Sequence, residues 1–202
     1  MHPVLVVTIA YLVGSVPFAF LLSRRRGIDL RLVGSGNVGA TNVLRSSGVS
    51  TAVIAMCLDA LKGTLAVVLA ERATMAASVV VAAGVASTLG HIYPVWLRFR
   101  GGKGVATAAG AFAVLAPTAL AAAGMVFVLA VWITRFISVG SMAAAVTLAV
   151  MTLVGDRSAA VAVGAAVCAL VILQRHHANV SRLRAGTERR IGQRLYRGGL
   201  GS

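Results

Sequence analysis

Long apolar runs separated by short polar stretches recur along the whole chain. Most runs are near the 20 residues or so that an α-helix needs to cross a bilayer. They predict helices at residues 3–22, 49–70, 75–97, 105–115, 118–133, 137–154 and 158–173. The fourth run is short and Pro117 follows it, so we expect a partial or deeply buried helix there. The pattern predicts an all-α integral membrane protein with about seven transmembrane helices, and about five on a conservative count.

The composition points to the same class of protein. The 202 residues are 58% hydrophobic and 12% charged, whereas soluble domains are about 25% charged. No basic segment precedes the first run and further runs follow it, so we interpret it as a retained span and not as a signal peptide. Cys57 and Cys168 lie inside apolar runs without disulfide or zinc spacing, which predicts buried free thiols. We therefore expect one polytopic membrane domain over residues 1–202.

Basic residues are concentrated in alternate polar segments. All of the 19 lysines and arginines except Lys62, Arg72 and Arg157 follow the first, third, fifth or last run. The positive-inside rule places these segments in the cytoplasm, with the N-terminus outside and the C-terminus inside. Topology thus accounts for most of the net charge of +14. Only 5% of the residues are aromatic, too few to be interleaved with the basic residues as in a nucleic-acid-binding surface, so we expect no nucleic-acid partner. Residues 189–202 are predicted to form a flexible basic tail.

The segment GSGNVGATNVLR at residues 34–45 begins with a match to G-x-G-x-x-G, and Asp59 follows at the distance of a ribose-binding acid. A dinucleotide fingerprint must lie between a strand and a helix, whereas this segment lies between two predicted membrane helices, so we exclude NAD. Glycines can adopt positive φ and form a nest of N–H groups that binds anions. Thr41 and Asn42 add donors and Arg45 adds a cation. We favour a phosphate site over the alternative, a flexible interfacial loop.

Three other polar groups are candidates for binding anions. The segment RGGKG at 100–104 opens the fourth run, where a helix N-terminus favours anions, although a positive-inside turn is an equal alternative. His176 and Asn179 follow the last run directly, and an ordinary basic belt would not require them. Asp59 and Lys62 share a helix face at membrane depth, either as a structural ion pair or with Lys62 reaching an anionic ligand.

These groups are predicted to meet on one membrane face, which favours a site for two anionic groups, at least one of them a phosphate. The chain has only five carboxylates, too few and too dispersed for a magnesium-dependent phosphotransferase of the CDP-alcohol type. We therefore expect neither a metal nor another cofactor. The alternative from another class is a small transporter or channel for a phosphorylated anion. Transporters usually bind near the bilayer midplane between repeated halves, and this sequence has no visible repeat.

The chain resembles the bacterial membrane acyl-phosphate:glycerol-3-phosphate acyltransferases, the PlsY family. The matching segments are GSVP at 14–17, GSGNVGATNVLR at 34–45, DALKG at 59–63, GH at 90–91 with Pro94, FRGGKGVAT at 99–107, and His176, Asn179, Arg182 and GTE at 186–188. The resemblance covers essentially the whole chain and implies a seven-helix fold in the bacterial cytoplasmic (inner) membrane. It also implies transfer of a fatty acyl group from acyl phosphate to the primary hydroxyl of glycerol 3-phosphate, the first step of phospholipid synthesis.

On this basis we predict the roles of individual residues. The acyl phosphate is assigned to Gly34, Ser35, Gly36, Asn37, Gly39, Thr41 and Asn42. Glycerol 3-phosphate is assigned to Arg45, Lys62, Lys103, Gly102 and Gly104. His176, Asn179 and Ser35 are the catalytic candidates, with Ser35 as a donor to the phosphate and acyl-Ser35 as the less favoured alternative. We prefer His176 to His177 because it keeps the His-x-x-Asn spacing, and either His176 or the substrate phosphate is expected to act as the base.

Overall fold

The computed structural model describes residues 1–155 and 158–193, and every regular element in these two ranges is helical. The helices are α1 (Pro3–Ser15), α2 (Phe18–Arg24), α3 (Ala40–Ser46), α4 (Val49–Ala73), α5 (Ala77–Ile92), α6 (Val105–Leu115), α7 (Pro117–Thr134), α8 (Ile137–Val154), α9 (Ala159–Arg175) and α10 (His177–Arg184). A short 3₁₀ turn, Val95–Leu97, follows α5. The prediction of an all-helical protein is confirmed.

Five helical segments in the described ranges are long and apolar enough to cross a membrane, and the bent pair α9–α10 makes a sixth. The fourth predicted helix, α6, has 11 residues and is about 16 Å long, too short to span the hydrocarbon core. It is the partial helix expected from its short run. The described residues therefore contain five or six candidate spans by length and composition, and the count of about seven and the orientation of the termini stay predictions.

The first span is divided into α1 and α2 at Pro17, which has no N–H to continue the helix. The Val16 carbonyl at this break accepts a hydrogen bond of 2.8 Å from Lys62 Nζ on α4. The Val16 carbonyl lost its helical partner at the break, and Lys62 supplies the hydrogen bond that a carbonyl needs in apolar surroundings.

Glycines allow two pairs of helices to approach closely. A Cβ at Gly14 of α1 would collide with the Ser87 backbone of α5, and a Cβ at Gly110 of α6 would collide with the Ala60 backbone of α4. In lipid, helices associate through such close van der Waals contacts because burying apolar surface there gains little. These contacts hold α1, α4, α5 and α6 around a buried core that includes Phe112.

One segment differs from the expectation based on the apolar pattern, while the predicted flexibility of the tail stays a prediction. Residues 40–46, predicted as loop, form α3, so Thr41, Asn42 and Arg45 are helical. The predicted tail begins within the described residues, where Ile191 N donates to Arg135 O at 2.7 Å, while residues 194–202, like Arg157, lie outside them. Both cysteines are free, but Cys57 is exposed on α4 and only Cys168 is buried.

Candidate active site

A cavity of about 430 Å³ joins the polar loops to the interior of the helix bundle. Its polar lining residues are Ser35, Asn37, Thr41, Asn42, Arg45, Asp59, His91, Lys103, Ser138, Ser141, His176, Asn179 and Glu188. Its apolar end is lined by Met56, Ala60, Leu120, Ala123, Phe127, Ala144, Ala145 and Leu148. The cavity has the mixed lining that suits a molecule with a polar head and a hydrocarbon tail.

Most of the predicted site residues come together at this cavity. Its wall includes Ser35, Asn37, Gly39, Thr41, Asn42, Arg45, Lys103, Gly104, His176 and Asn179. Gly34, Gly36, Lys62 and Gly102 lie outside the wall. The four exceptions therefore shape or support the site without facing it.

The side chain of Asn42 holds the glycine loop in place. It is 1% exposed, and its Nδ2 donates to Leu30 O and Val33 O, both at 3.0 Å. Its Oδ1 accepts a bond of 3.1 Å from Ser35 N. The loop turns at Gly34 and Gly36, whose φ values of +63° and +69° favour glycine. This arrangement uses the polar atoms of Asn42 within the chain and leaves Ser35 exposed at the cavity.

The second glycine loop closes against the end of α5. Gly101 N donates to Ile92 O at 3.0 Å and Gly102 N donates to His91 O at 3.2 Å. Gly104 has a φ of +86° and caps the N-terminus of α6. Lys103 is thereby directed toward Asn179, and its Nζ donates to Asn179 Oδ1.

Burial and nearby cations act together on Lys103. Burial lowers the pKa of Lys103 to about 8, the positive charges of Arg182, Arg45 and Arg175 act in the same direction, and Glu188 opposes them. Lys103 and Arg45 line the cavity, and Arg175 and Arg182 are close enough for their charges to act on Lys103. Such a site binds an anion well, because the anion relieves repulsion among the cations.

His176 lies between α9 and α10, where the chain bends by 51°. The side chain is 2% exposed and Nδ1 lies 2.7 Å from Ile172 O. A carbonyl only accepts, so Nδ1 carries a proton and the lone pair of the neutral ring is on Nε2. His177 is exposed, with Nδ1 2.9 Å from Gln174 O. The structure thus brings His176, and not its neighbour, to the cavity.

Glu188 is a site residue that the sequence-based assignment left out. It accepts hydrogen bonds from Asn179 Nδ2 at 2.7 Å, Ser138 Oγ at 3.0 Å and Arg182 Nε at 2.7 Å. Burial alone would raise the pKa of Glu188, but these bonds outweigh burial and lower it. Glu188 therefore connects α8, α10 and the following turn as a carboxylate. A lone acid in an arginine-rich segment was the available signal for this role.

The structure places Lys62 in a buried ion pair outside the cavity wall, a position that does not favour its predicted contact with glycerol 3-phosphate, which stays a prediction. Lys62 is 3% exposed, and its Nζ lies 2.8 Å from Val16 O, 2.8 Å from Asp59 Oδ1 and 3.0 Å from His91 Nδ1. The ammonium donates to Val16 O, lies within hydrogen-bonding distance of His91 Nδ1 and forms an ion pair with the Asp59 carboxylate. Of the two alternatives raised by the sequence, the structure supports the ion pair.

Comparison with known proteins gives one consistent result. Residues 4–186 match the family model described as glycerol-3-phosphate acyltransferase. A glycerol-3-phosphate acyltransferase of Myxococcus xanthus is 46% identical over 187 residues, which cover 92% of this chain and 97% of that protein. One from Synechococcus sp. is 45% identical over 94% of this chain and 96% of its own length.

Solved structures agree with these sequence relatives. The crystal structure of PlsY, an integral membrane glycerol 3-phosphate acyltransferase, in its glycerol 3-phosphate form superposes with a TM-score of 0.91 at 37% identity. The match covers 95% of this chain and 96% of that one. Its lysophosphatidic acid form gives a TM-score of 0.88. On sequence and fold, this chain belongs to the glycerol-3-phosphate acyltransferase family.

Proposed function

We propose that this protein transfers a fatty acyl group from acyl phosphate to the primary hydroxyl of glycerol 3-phosphate. The products are lysophosphatidic acid and inorganic phosphate. The observation that carries the proposal is the continuity of the cavity, which runs from a cationic end containing His176 to an end lined by aliphatic side chains and Phe127. A lipid substrate and a small phosphorylated alcohol fit these two environments respectively.

The acyl phosphate is assigned to the first glycine loop and the apolar end. Its hydrocarbon chain lies among residues of α4, α7 and α8, and its phosphate lies at the loop of residues 34–39 and the start of α3. Ser35, Asn37, Gly39 and Thr41 face the cavity there and are the proposed donors. Gly34, Gly36 and Asn42 form the turn that presents them.

Glycerol 3-phosphate is assigned to the two cations nearest the second glycine loop. Arg45 and Lys103 hold its phosphate by charge-assisted hydrogen bonds, with Gly104 at the N-terminus of α6 beside them. Asn179 orients Lys103 through the hydrogen bond between them. Gly102 contributes close packing within the loop and not a contact with the ligand.

The reaction proceeds by direct transfer. The Nε2 lone pair of His176, or an oxygen of the substrate phosphate, accepts the proton of the primary hydroxyl as its oxygen attacks the acyl carbon. The tetrahedral intermediate expels phosphate with the electron pair of the broken C–O bond. Acyl phosphate is already activated, so holding the two substrates together removes much of the remaining barrier. Ser35 donates to the phosphate and forms no acyl-enzyme in this mechanism.

The reaction is placed at the cytoplasmic face of a bacterial inner membrane. The proposal is supported by the cationic loops around the cavity, which are the segments that the positive-inside rule assigns to the cytoplasm. Glycerol 3-phosphate reaches such a site from the cytoplasm, while the acyl donor and the lysophosphatidic acid product stay within the bilayer.

The test is phosphate release by the purified, detergent-solubilised protein. It is given palmitoyl phosphate and glycerol 3-phosphate, with palmitoyl-CoA as an alternative donor and a chelator in parallel. We expect phosphate and lysophosphatidic acid only when acyl phosphate and glycerol 3-phosphate are both present, with no effect of the chelator. Activity with palmitoyl-CoA alone would contradict the donor. No activity in any arm from folded protein would favour a transporter of phosphorylated anions, and an acyl adduct on Ser35 by mass spectrometry would contradict direct transfer.

A further inference from the structure

Asp59, Lys62 and His91 form a buried polar cluster beneath the two glycine loops, and the proposed mechanism does not use it. The three side chains are 1%, 3% and 8% exposed. Lys62 Nζ lies 2.8 Å from Asp59 Oδ1 and 3.0 Å from His91 Nδ1, and His91 Nδ1 lies 3.4 Å from the same carboxylate oxygen. We refer to these residues as the Asp59 cluster.

The Asp59 cluster is in direct contact with the loop that carries Lys103. The imidazole of His91 packs so closely on Gly102 that a Cβ there would collide with its Nε2. The backbone of His91 and Ile92 also accepts hydrogen bonds from Gly102 N and Gly101 N, at 3.2 and 3.0 Å. Both the main chain and the ring of His91 therefore determine where this loop lies.

The same contact reaches the other glycine loop. A Cβ at Gly102 would also lie 2.9 Å from Val38 O, so Gly102 is held between Val38 and His91. At the opposite end of the cluster, Lys62 bonds to Val16 O at the break between α1 and α2. The cluster thus links the break in the first span to both loops.

Ionised side chains at membrane depth are costly to bury and usually have a functional reason. Asp59 and His91 line the cavity wall, whereas Lys62 lies outside it, donating to Val16 O and paired with the Asp59 carboxylate, so direct contact with substrate is not the reason for burying Lys62. We propose that the Asp59 cluster is a positioning device that holds the Gly101–Lys103 loop so that Lys103 reaches the phosphate of glycerol 3-phosphate. Because its kinetic readout uses the reaction of the preceding subsection, this inference rests on the proposed function.

The test compares variants by their separate kinetic constants for the two substrates. His91→Phe removes the ring nitrogens while both charges stay paired, and the double variant Asp59→Asn with Lys62→Met removes both charges together so that neither is left buried alone. We expect the KM for glycerol 3-phosphate to rise by about tenfold or more, as for other residues that orient a ligand-binding group. The KM for palmitoyl phosphate is expected to change by less than about twofold, because a shift of Lys103 affects one substrate.

Two further variants separate positioning from general stability. Val67→Ala removes buried methyl groups from the same helix α4, away from both loops, and is expected to lower thermal stability with both KM values unchanged. His91→Asn restores an acceptor near the position of Nδ1 and is expected to recover part of the lost affinity. An unchanged KM for glycerol 3-phosphate in His91→Phe and in the double variant would overturn the proposal.

A readout that needs no catalysis keeps this inference distinct from the proposed function. Amide hydrogen exchange at Gly101 and Gly102, both hydrogen-bonded to the end of α5, is expected to accelerate in His91→Phe relative to Val67→Ala. Equal protection in the two variants would overturn the positioning role even if the wild-type protein is active. Faster exchange in His91→Phe together with an inactive wild type would support the positioning role and contradict the proposed reaction.

Discussion

Lys103 shows how tertiary burial changes the chemistry of a single residue. Its sequence context, RGGKG, is that of an exposed basic turn with an ordinary lysine. In the fold it is partly buried beside Asn179, and burial lowers its pKa to about 8. The ammonium therefore loses its proton within an experimentally convenient range of pH.

This pKa predicts an alkaline limit to the use of glycerol 3-phosphate. Lys103 binds a phosphate in its charged form, which predominates below its pKa and is lost as the pH rises through about 8. We expect kcat/KM for glycerol 3-phosphate to fall by up to about tenfold per pH unit above that value. Steady-state kinetics from pH 6.5 to 9.5 measure this. The arginine in Lys103→Arg stays charged over this range, so the variant should lose the alkaline fall in kcat/KM whatever its absolute rate. If the fall stays at the same pH in this variant, the titrating group is not Lys103.

The two adjacent histidines predict a second contrast. His176 is buried at the cavity with its lone pair on Nε2, whereas His177 is exposed. We expect His176→Ala to lower kcat by about 10²- to 10⁴-fold, the usual contribution of a general base. His177→Ala, as the matched control, should retain near wild-type kcat. Near-full turnover by His176→Ala would leave the substrate phosphate as the base.

At the scale of elements, the first glycine loop and α3 act as one unit. The glycines indicated an anion-binding turn. The short helix that follows was not predicted because residues 40–46 are largely polar and have no apolar periodicity. Thr41, Asn42 and Arg45 of α3 all line the cavity, but the side chain of Asn42 also bonds back to the loop, whereas Thr41 and Arg45 make no such bond to it among the hydrogen bonds of the described residues.

Gly36 offers a test of this unit. Its φ of +69° makes Gly36→Ala unfavourable by about 1–2 kcal/mol in the observed turn. We expect the KM for palmitoyl phosphate to rise by several-fold because the turn presents Ser35. Gly27→Ala is a matched control, since Gly27 also has a positive φ of +75° but lies away from the cavity. Equal effects of the two substitutions on this KM would show that the loop does not hold the acyl phosphate.

At the scale of the whole molecule, the helices determine how much of an acyl chain the protein encloses. Along α8, the cavity wall extends from Ile137 to Leu148, which corresponds to a depth of about 16 Å. Leu148 itself belongs to the buried core that contains Phe112. This depth accommodates most of an extended fatty acyl chain.

Narrowing this space should change the preference for chain length. Ala145 of α8 is 6% exposed and lines the cavity, so Ala145→Phe would obstruct its deeper part. We expect kcat/KM for palmitoyl phosphate to fall by about tenfold or more, with octanoyl phosphate much less affected. Val150→Phe places the same ring on an exposed face of the same helix and should leave both donors unchanged. A uniform loss across chain lengths in Ala145→Phe would contradict an acyl chain in this cavity.

By itself, the sequence determined the class of protein, the approximate positions of the spans and the residue types of the site. Apolar length, alternating basic segments and glycine motifs are local properties that can be read along one chain. The resemblance of these motifs to a known family was confirmed by the comparisons.

The tertiary structure alone decided which of the predicted groups face a common cavity. It placed Lys62 in an internal ion pair, placed Glu188 at the cavity, and brought His176 there in agreement with the spacing argument. These outcomes depend on contacts between residues far apart in the chain, such as the 76 positions between Lys103 and Asn179. The sequence pattern indicates which interactions each residue type can make, whereas the packing of the helices determines which residues are close enough to interact.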